Sequence, residues 1–350
     1  MLDLKKIILI HFFLFINTTL LLAGDFQPLD DGKINFDTYH TYDHSRLSSG
    51  IYKNAPLNGI GTLYLPNKLD EKDKVPLVII LHTSGGIKNN REIYYAKFLN
   101  KNGFAAYVVD TYGTRKCNAS GAGWKNCLNK ILLLDFVTDA YMALNKLSSH
   151  PNIDIENTAL IGYSYGGDAA MQALDNDIKN IFSPSLTPFK AVISVYGACN
   201  SIFDISQTTG SPFHYIVGSE DISYDKEYCE QRYLELESAG SKANEYILDG
   251  AVHMFDAKYR VVSIPTSELP NTFKCQYAFS KDGSVTERIT GVKIQFKSDD
   301  ALADKFKLTN SFSWEDTKGC FGKERLKMGK QNSAKNKTKD LLSKILSESF

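Results

Sequence analysis

A serine with glycines two residues to either side is the most chemically suggestive feature of the chain. The run is Gly162-Tyr163-Ser164-Tyr165-Gly166, followed by Gly167. An apolar stretch over 158–163 precedes it and a helical pattern over 165–174 follows. Strand, Gly-x-Ser-x-Gly and helix, in that order, make a sharp turn that lifts a hydroxyl above a sheet. Glycines at those positions avoid clashes that a Cβ would cause. The helix start offers N–H donors and a favourable dipole to a developing oxyanion. A serine hydroxyl is a poor nucleophile near neutral pH and needs a base. Two histidines follow it, His214 and His253. His214 lies early in the apolar run 213–217, read as a strand, and is expected to be structural. His253 follows the last core strand, in a loop at the sheet's carboxyl edge, and is the candidate base. The acid that orients such a base should follow the strand between them. That strand ends in Gly218-Ser219-Glu220-Asp221, so Asp221 is the candidate, with Glu220 and Asp225 as fallbacks. Asp168 and Asp204 are worse placed on strand order. Ser164, His253 and Asp221 together would carry out nucleophilic acyl transfer.

Acyl transfer also needs two N–H groups to hold the oxyanion. One is expected from Tyr165. The other is expected from the early loop Leu81-His82-Thr83-Ser84-Gly85-Gly86, with Ser84 preferred over Thr83. Thr83, Tyr112 and Met254 are candidate substrate-binding residues, and Tyr163, Tyr165 and Phe203 are further aromatic candidates. His82 is expected to be a packed loop residue and Arg115 a member of a structural ion pair. This chemistry requires no cofactor and no metal.

These residues need a rigid scaffold. Short apolar runs alternate with amphipathic stretches, which predicts an α/β protein with a mostly parallel central sheet and helices on both faces. Val75–Leu81 is a continuous apolar run suited to a strand buried on both faces. Further strands are expected at 104–110, 158–163, 189–196, 213–217 and 245–248. Helices are expected at 90–101, about 129–147, 165–174, 225–238 and 341–347. Residues 257–325 break the rhythm and read as a small disulfide-linked insertion of short strands before the last helix. Residues 326–340 are Lys-rich and polar and read as a solvated linker and helix start. The expected organisation is therefore a signal peptide (1–24), a core (25–256), the insertion (257–325), and a linker with the closing helix of the core (326–350).

The first residues carry Lys5 and Lys6, then an apolar run from Ile7 to Ala23, then Gly24. This is the order of a secretory signal peptide, and the run is short of the roughly 20 residues a spanning helix needs. The expectation is export, to a periplasm or to the outside, with no stable membrane insertion after cleavage. The full chain of 350 residues has 40 basic and 40 acidic residues; without Lys5, Lys6 and Asp3 the balance is 38 to 39. Such neutrality gives no electrostatic reason to expect nucleic acid. Six cysteines suit an oxidising compartment. Nearest-neighbour pairing is favoured: Cys117 with Cys127, Cys199 with Cys229, Cys275 with Cys320. No Cys/His cluster has zinc-ligand spacing.

Several of these segments together resemble the dienelactone hydrolase family of α/β hydrolases. They are residues 81–86, Asp110-Thr111-Tyr112-Gly113-Thr114-Arg115, the serine elbow, 218–221 and 251–255. The resemblance covers about residues 50–255. It implies an α/β-hydrolase fold, and it implies the roles of Ser164, Asp221 and His253 that strand order also suggests. Two departures stand out. The family's namesakes carry cysteine where this chain has Ser164, and a glutamate where it has Thr83. The resemblance therefore implies an exported hydrolase of small-molecule carboxylic esters rather than one for dienelactones. Rival readings are a serine peptidase of the prolyl-peptidase type, and a noncatalytic binding protein that retains the fold. The oligomeric state is not legible.

Overall fold

The computed structural model describes residues 26–266, 274–295, 320 and 324–350. The expected signal peptide lies outside these residues, as does much of the distal part of the expected insertion. In chain order the strands are β1 (Gly32–Tyr39), β2 (Pro56–Tyr64), β3 (Val75–Leu81), β4 (Ala105–Val109), β5 (Ile153–Tyr163), β6 (Ala191–Val195) and β7 (Ser201–Phe203). Then come β8 (Phe213–Gly218), β9 (Ala243–Leu248), β10 (Val262–Pro265), β11 (Tyr277–Phe279), β12 (Ser284–Glu287), β13 (Lys293–Gln295) and β14 (Arg325–Met328).

Eight strands form the large sheet, in the order β1-β2-β4-β3-β5-β6-β8-β9. From β4 to β9 every pairing is parallel, while β1 and β2 add an antiparallel edge that the sequence pattern did not signal. The chain passes from β3 outward to β4, then returns to the other side of β3 as β5. A doubly wound sheet opens a crevice at such a reversal, beyond the carboxyl ends of its strands. Here those ends belong to β3 and β5, where Leu81 is in register with Gly162.

Leu77 to Leu81 are all fully buried. Leu77, Ile79 and Leu81 face one core, and Val78 and Ile80 face the other. This alternation is what a strand covered on both sides must show. Helices Leu133–Leu147 and Tyr165–Gln172 contribute to the first core. Helices Glu92–Lys101 and Asn332–Ser349 contribute to the second.

Two expectations of the sequence reading are corrected, and one helix is added to it. The helix expected over about 129–147 is two helices, Gly123–Lys130 and Leu133–Leu147. The second starts where buried Asp135 accepts the Leu132 N–H at 3.2 Å. Helix Asn176–Phe182 was not anticipated. The expected linker is ordered structure: residues 325–328 are strand β14, and the closing helix already starts at Asn332. Lys337 and Lys344 are exposed, Lys335 Nζ donates to Asn90 O at 2.9 Å, and Ala334, Thr338, Leu342, Ile345 and Leu346 recur at helical spacing and are buried.

The described residues of the segment expected to be an insertion join the rest of the chain by strand pairing at two places. Its stem is the antiparallel ribbon β10–β14, with Ile264 opposite Leu326 and Val262 opposite Met328. Its strands β11, β12 and β13 form a second sheet that ends on β7 of the core. The three disulfides join Cys117 to Cys127, Cys199 to Cys229 and Cys275 to Cys320, the nearest-neighbour pairing. Among the described residues no helix is long and apolar enough to cross a membrane.

Candidate active site

The turn between β5 and helix Tyr165–Gln172 forces Ser164 to φ 50° and ψ −119°, a region L-residues rarely adopt. Its N–H donates to Val195 O at 2.9 Å, and its carbonyl accepts from Gly167 N at 2.6 Å and Asp168 N at 3.1 Å. A Cβ at Gly162 would collide with the Gly166 carbonyl, and one at Gly166 with the carbonyls of Leu81 and His82. The glycines are thus a packing requirement of this turn. Tyr196 and Met254 also have positive φ, and both line the same cavity as Ser164. Backbone strain concentrated in this way is a feature of functional sites.

The three sequence-predicted side chains converge. Ser164 Oγ lies 3.1 Å from His253 Nε2, and His253 Nδ1 lies 2.7 Å from Asp221 Oδ2. His253 and Asp221 are buried, at 4% and 2% exposure. With an ionised Asp221, Nδ1 donates its proton to the carboxylate, which leaves Nε2 as acceptor for the serine hydroxyl. The other Asp221 oxygen accepts the Ser223 N–H at 2.9 Å. Neither fallback acid takes this place. Glu220 pairs with Lys327 at the surface, and Asp225 caps helix Lys226–Ser238 by accepting from Tyr228 N. His214 bonds instead to the Tyr246 hydroxyl at 3.2 Å, and burial lowers its pKa to about 4.

His253 is held through its main chain by the stem of the insertion. Its N–H donates to Lys327 O at 3.0 Å, and its carbonyl accepts from Gly329 N at 3.1 Å. No local sequence signal links residue 253 to 327–329; only the fold brings them together.

The loop after β3 is braced by a charged pair that the sequence reading missed. Arg91 and Glu92 are both buried and joined at 2.7 Å. Glu92 accepts the N–H groups of Thr83 at 3.3 Å and Lys88 at 2.8 Å. Arg91 Nη2 donates to Thr83 Oγ1 at 2.8 Å and Gly86 O at 3.2 Å. The Thr83 amide is therefore committed to Glu92. Among the described residues, the N–H groups of Ser84 and Tyr165 have no such acceptor.

A cavity of about 260 Å³ holds these groups. Ser164, His253, Thr83, Ser84, Tyr165 and Met254 line it, with an apolar wall of Trp124, Leu128, Ile264, Leu326 and Met328. Lys88 stands exposed at its edge. Asp168, also in the lining, accepts the Ala198 N–H at 2.6 Å; burial pushes its carboxyl up to about 8 although that bond opposes the shift. Tyr112 is not in the lining: it is buried in the core, its ring edge-on to His82 and Phe136. Tyr163 stacks on Tyr95, and Phe203 lies on the second sheet beside Phe279. Arg115 is a core residue, paired with Asp135 at 3.1 Å and Asp139 at 2.7 Å. Cys275, Glu287 and Cys320 bring three potential metal-ligand atoms together, but the two sulfurs are bonded to each other.

A mostly parallel sheet, a serine elbow after β5 and a histidine loop after β9 define the α/β-hydrolase fold. The family model for the dienelactone hydrolase family matches residues 61–276, and the chain belongs to that family of hydrolases. Among solved structures, it is similar to a dienelactone hydrolase from Klebsiella pneumoniae subsp. pneumoniae at 17% identity. That match covers 65% of this chain and 90% of the other, with a TM-score of 0.48. It is also similar to a dienelactone hydrolase-like promiscuous phosphotriesterase from metagenomic libraries: 16% identity, 64% and 84% coverage, TM-score 0.45. A third is a thermophilic esterase from the planctomycete Thermogutta terrifontis: 14% identity, 57% and 81% coverage, TM-score 0.42. Comparison with curated proteins gives no significant match.

Proposed function

We propose that this protein is a serine hydrolase that cleaves small carboxylic esters through an acyl-enzyme on Ser164. The hydrogen-bond chain from Asp221 through His253 to Ser164, ending in the lined cavity, is the observation that carries this reading. His253 takes the Ser164 proton as the oxygen attacks the ester carbonyl. The N–H groups of Tyr165 and Ser84 hold the oxyanion, and Asp221 stabilises the imidazolium. His253 then protonates the leaving alcohol. Water attacks the acyl-enzyme with the same base, and Ser164 is regenerated. Apolar lining over most of the cavity favours an ester with a small apolar group over a peptide. The test is turnover of p-nitrophenyl acetate beside a matched peptide p-nitroanilide. Ester cleavage that falls about a millionfold in Ser164→Ala is expected; cleavage of the anilide alone would refute the esterase assignment.

We also propose that the protein works outside the reducing cytoplasm. Three disulfides favour an oxidising compartment. N-terminal sequencing of the mature protein, expected to begin near Asp25, tests this; a cytoplasmic, full-length product would contradict it.

A further inference from the structure

The wall that meets the substrate is built in part by residues beyond the family-matched segment. That segment ends at residue 276, whereas Leu326 and Met328 lie on β14. Within the ribbon β10–β14, Ile264 is directly opposite Leu326, and Met328 follows two residues later. Side chains alternate between the faces of a strand, so these three share one face. All three line the Ser164 cavity. On the other face three of the alternate residues are polar: Lys327 Nζ pairs with Glu220 at 3.0 Å, and Arg325 Nε donates to Ser263 Oγ at 2.9 Å. The ribbon is fixed against the relay as well, through the two main-chain bonds between His253 and residues Lys327 and Gly329. One element therefore holds the base in place and presents an apolar face to whatever Ser164 attacks.

We infer that the ribbon β10–β14 is the specificity element of this hydrolase, with Ile264 and Leu326 selecting esters that carry a compact, uncharged apolar group. The inference rests on the proposed acyl transfer at Ser164. Ile264, Leu326 and Met328 offer a ligand no charge and no strong hydrogen-bond partner. A charged group pressed against them would lose its hydration without compensation. The volume of about 260 Å³ lies just under the ~300–1,000 Å³ of common small-molecule sites, which favours a compact group within it. Leu326 is 3% exposed and Ile264 half-buried, so shortening either enlarges the cavity at its outer wall.

The experiment uses two ester series on the full mature protein. One is p-nitrophenyl esters of acids from acetate to decanoate; the other is acetates of alcohols of growing length. The wild type should favour short chains in at least one series. In Leu326→Ala the ratio of kcat/KM for the long ester over the short one should rise by about fourfold for each methylene newly accommodated. Ile264→Ala, at a half-buried position, should shift the same ratio the same way, and Ile264→Phe should lower it. This covers the case in which Leu326→Ala does not fold. Unchanged ratios in both series for the folded variants would overturn the inference and leave the Ser164 mechanism standing. An absence of Ser164-dependent turnover with every ester would overturn the mechanism, and this inference with it.

Discussion

Glu92 accepts the backbone N–H of Thr83 at 3.3 Å, and the next amide along the chain, that of Ser84, has no acceptor among the described residues. On the proposed mechanism, this divides the loop's donors into one used for support and one left for the oxyanion. Glu92→Gln keeps the shape but removes the counter-charge of buried Arg91. Breaking a buried pair in this way costs about 3–5 kcal/mol. Thermal or urea unfolding should show that loss. Turnover should fall too, by up to the ~100-fold that follows loss of an oxyanion donor, with a smaller change in KM. A variant that melts earlier but keeps its kcat would show that the pair supports the fold and not the loop's N–H alignment.

Asp168 predicts a pH effect on stability. Burial raises its carboxyl from the ordinary 3.8 to about 8. Between those values the folded protein binds a proton that the unfolded chain does not, so this group's contribution to stability is full below about pH 4 and is lost as pH rises toward 8. Asp168→Asn removes the titration while its amide oxygen can still accept from Ala198 N. The difference in Tm between variant and parent should therefore move in the variant's favour from pH 5 to pH 9, each figure being about one unit inside or outside that window. A difference that does not vary with pH would contradict the assignment.

The Cys199–Cys229 disulfide closes a loop with a sequence separation of 30. It joins the start of helix Lys226–Ser238 to the residue after Ala198, whose N–H holds Asp168. Replacing both cysteines by serine should cost about 2–4 kcal/mol, read from the denaturant midpoint. Ester turnover well below the new unfolding midpoint should persist, because the relay residues lie elsewhere. No change in the midpoint would mean that the crosslink adds nothing to the folded state.

Much of this molecule is legible in its sequence because the features are local. The elbow needs a strand, two small residues and a helix within a short window, and β3 announces itself as an unbroken apolar run. Asp221 and His253 follow as candidates from strand order once the serine is placed, and their side chains lie 2.7 Å apart. The interruption near Leu132 was missed because apolar spacing continues across it, while the cap on Asp135 depends on a buried partner, Arg115, from another segment. The closing helix was cut short because its lysines read as linker, although the buried positions from Ala334 onward are helical in spacing. The Arg91–Glu92 brace and the ribbon's hold on His253 have no local signature at all. Each is a contact made by the fold, between main-chain groups whose residue types do not matter or side chains that could as well have been solvated.

The most direct test of the central claim is covalent labelling by a fluorophosphonate probe followed by peptide mapping. The account predicts a single adduct on Ser164, absent in Ser164→Ala and strongly slowed in His253→Ala. Labelling of a different serine, or undiminished labelling in Ser164→Ala, would contradict it.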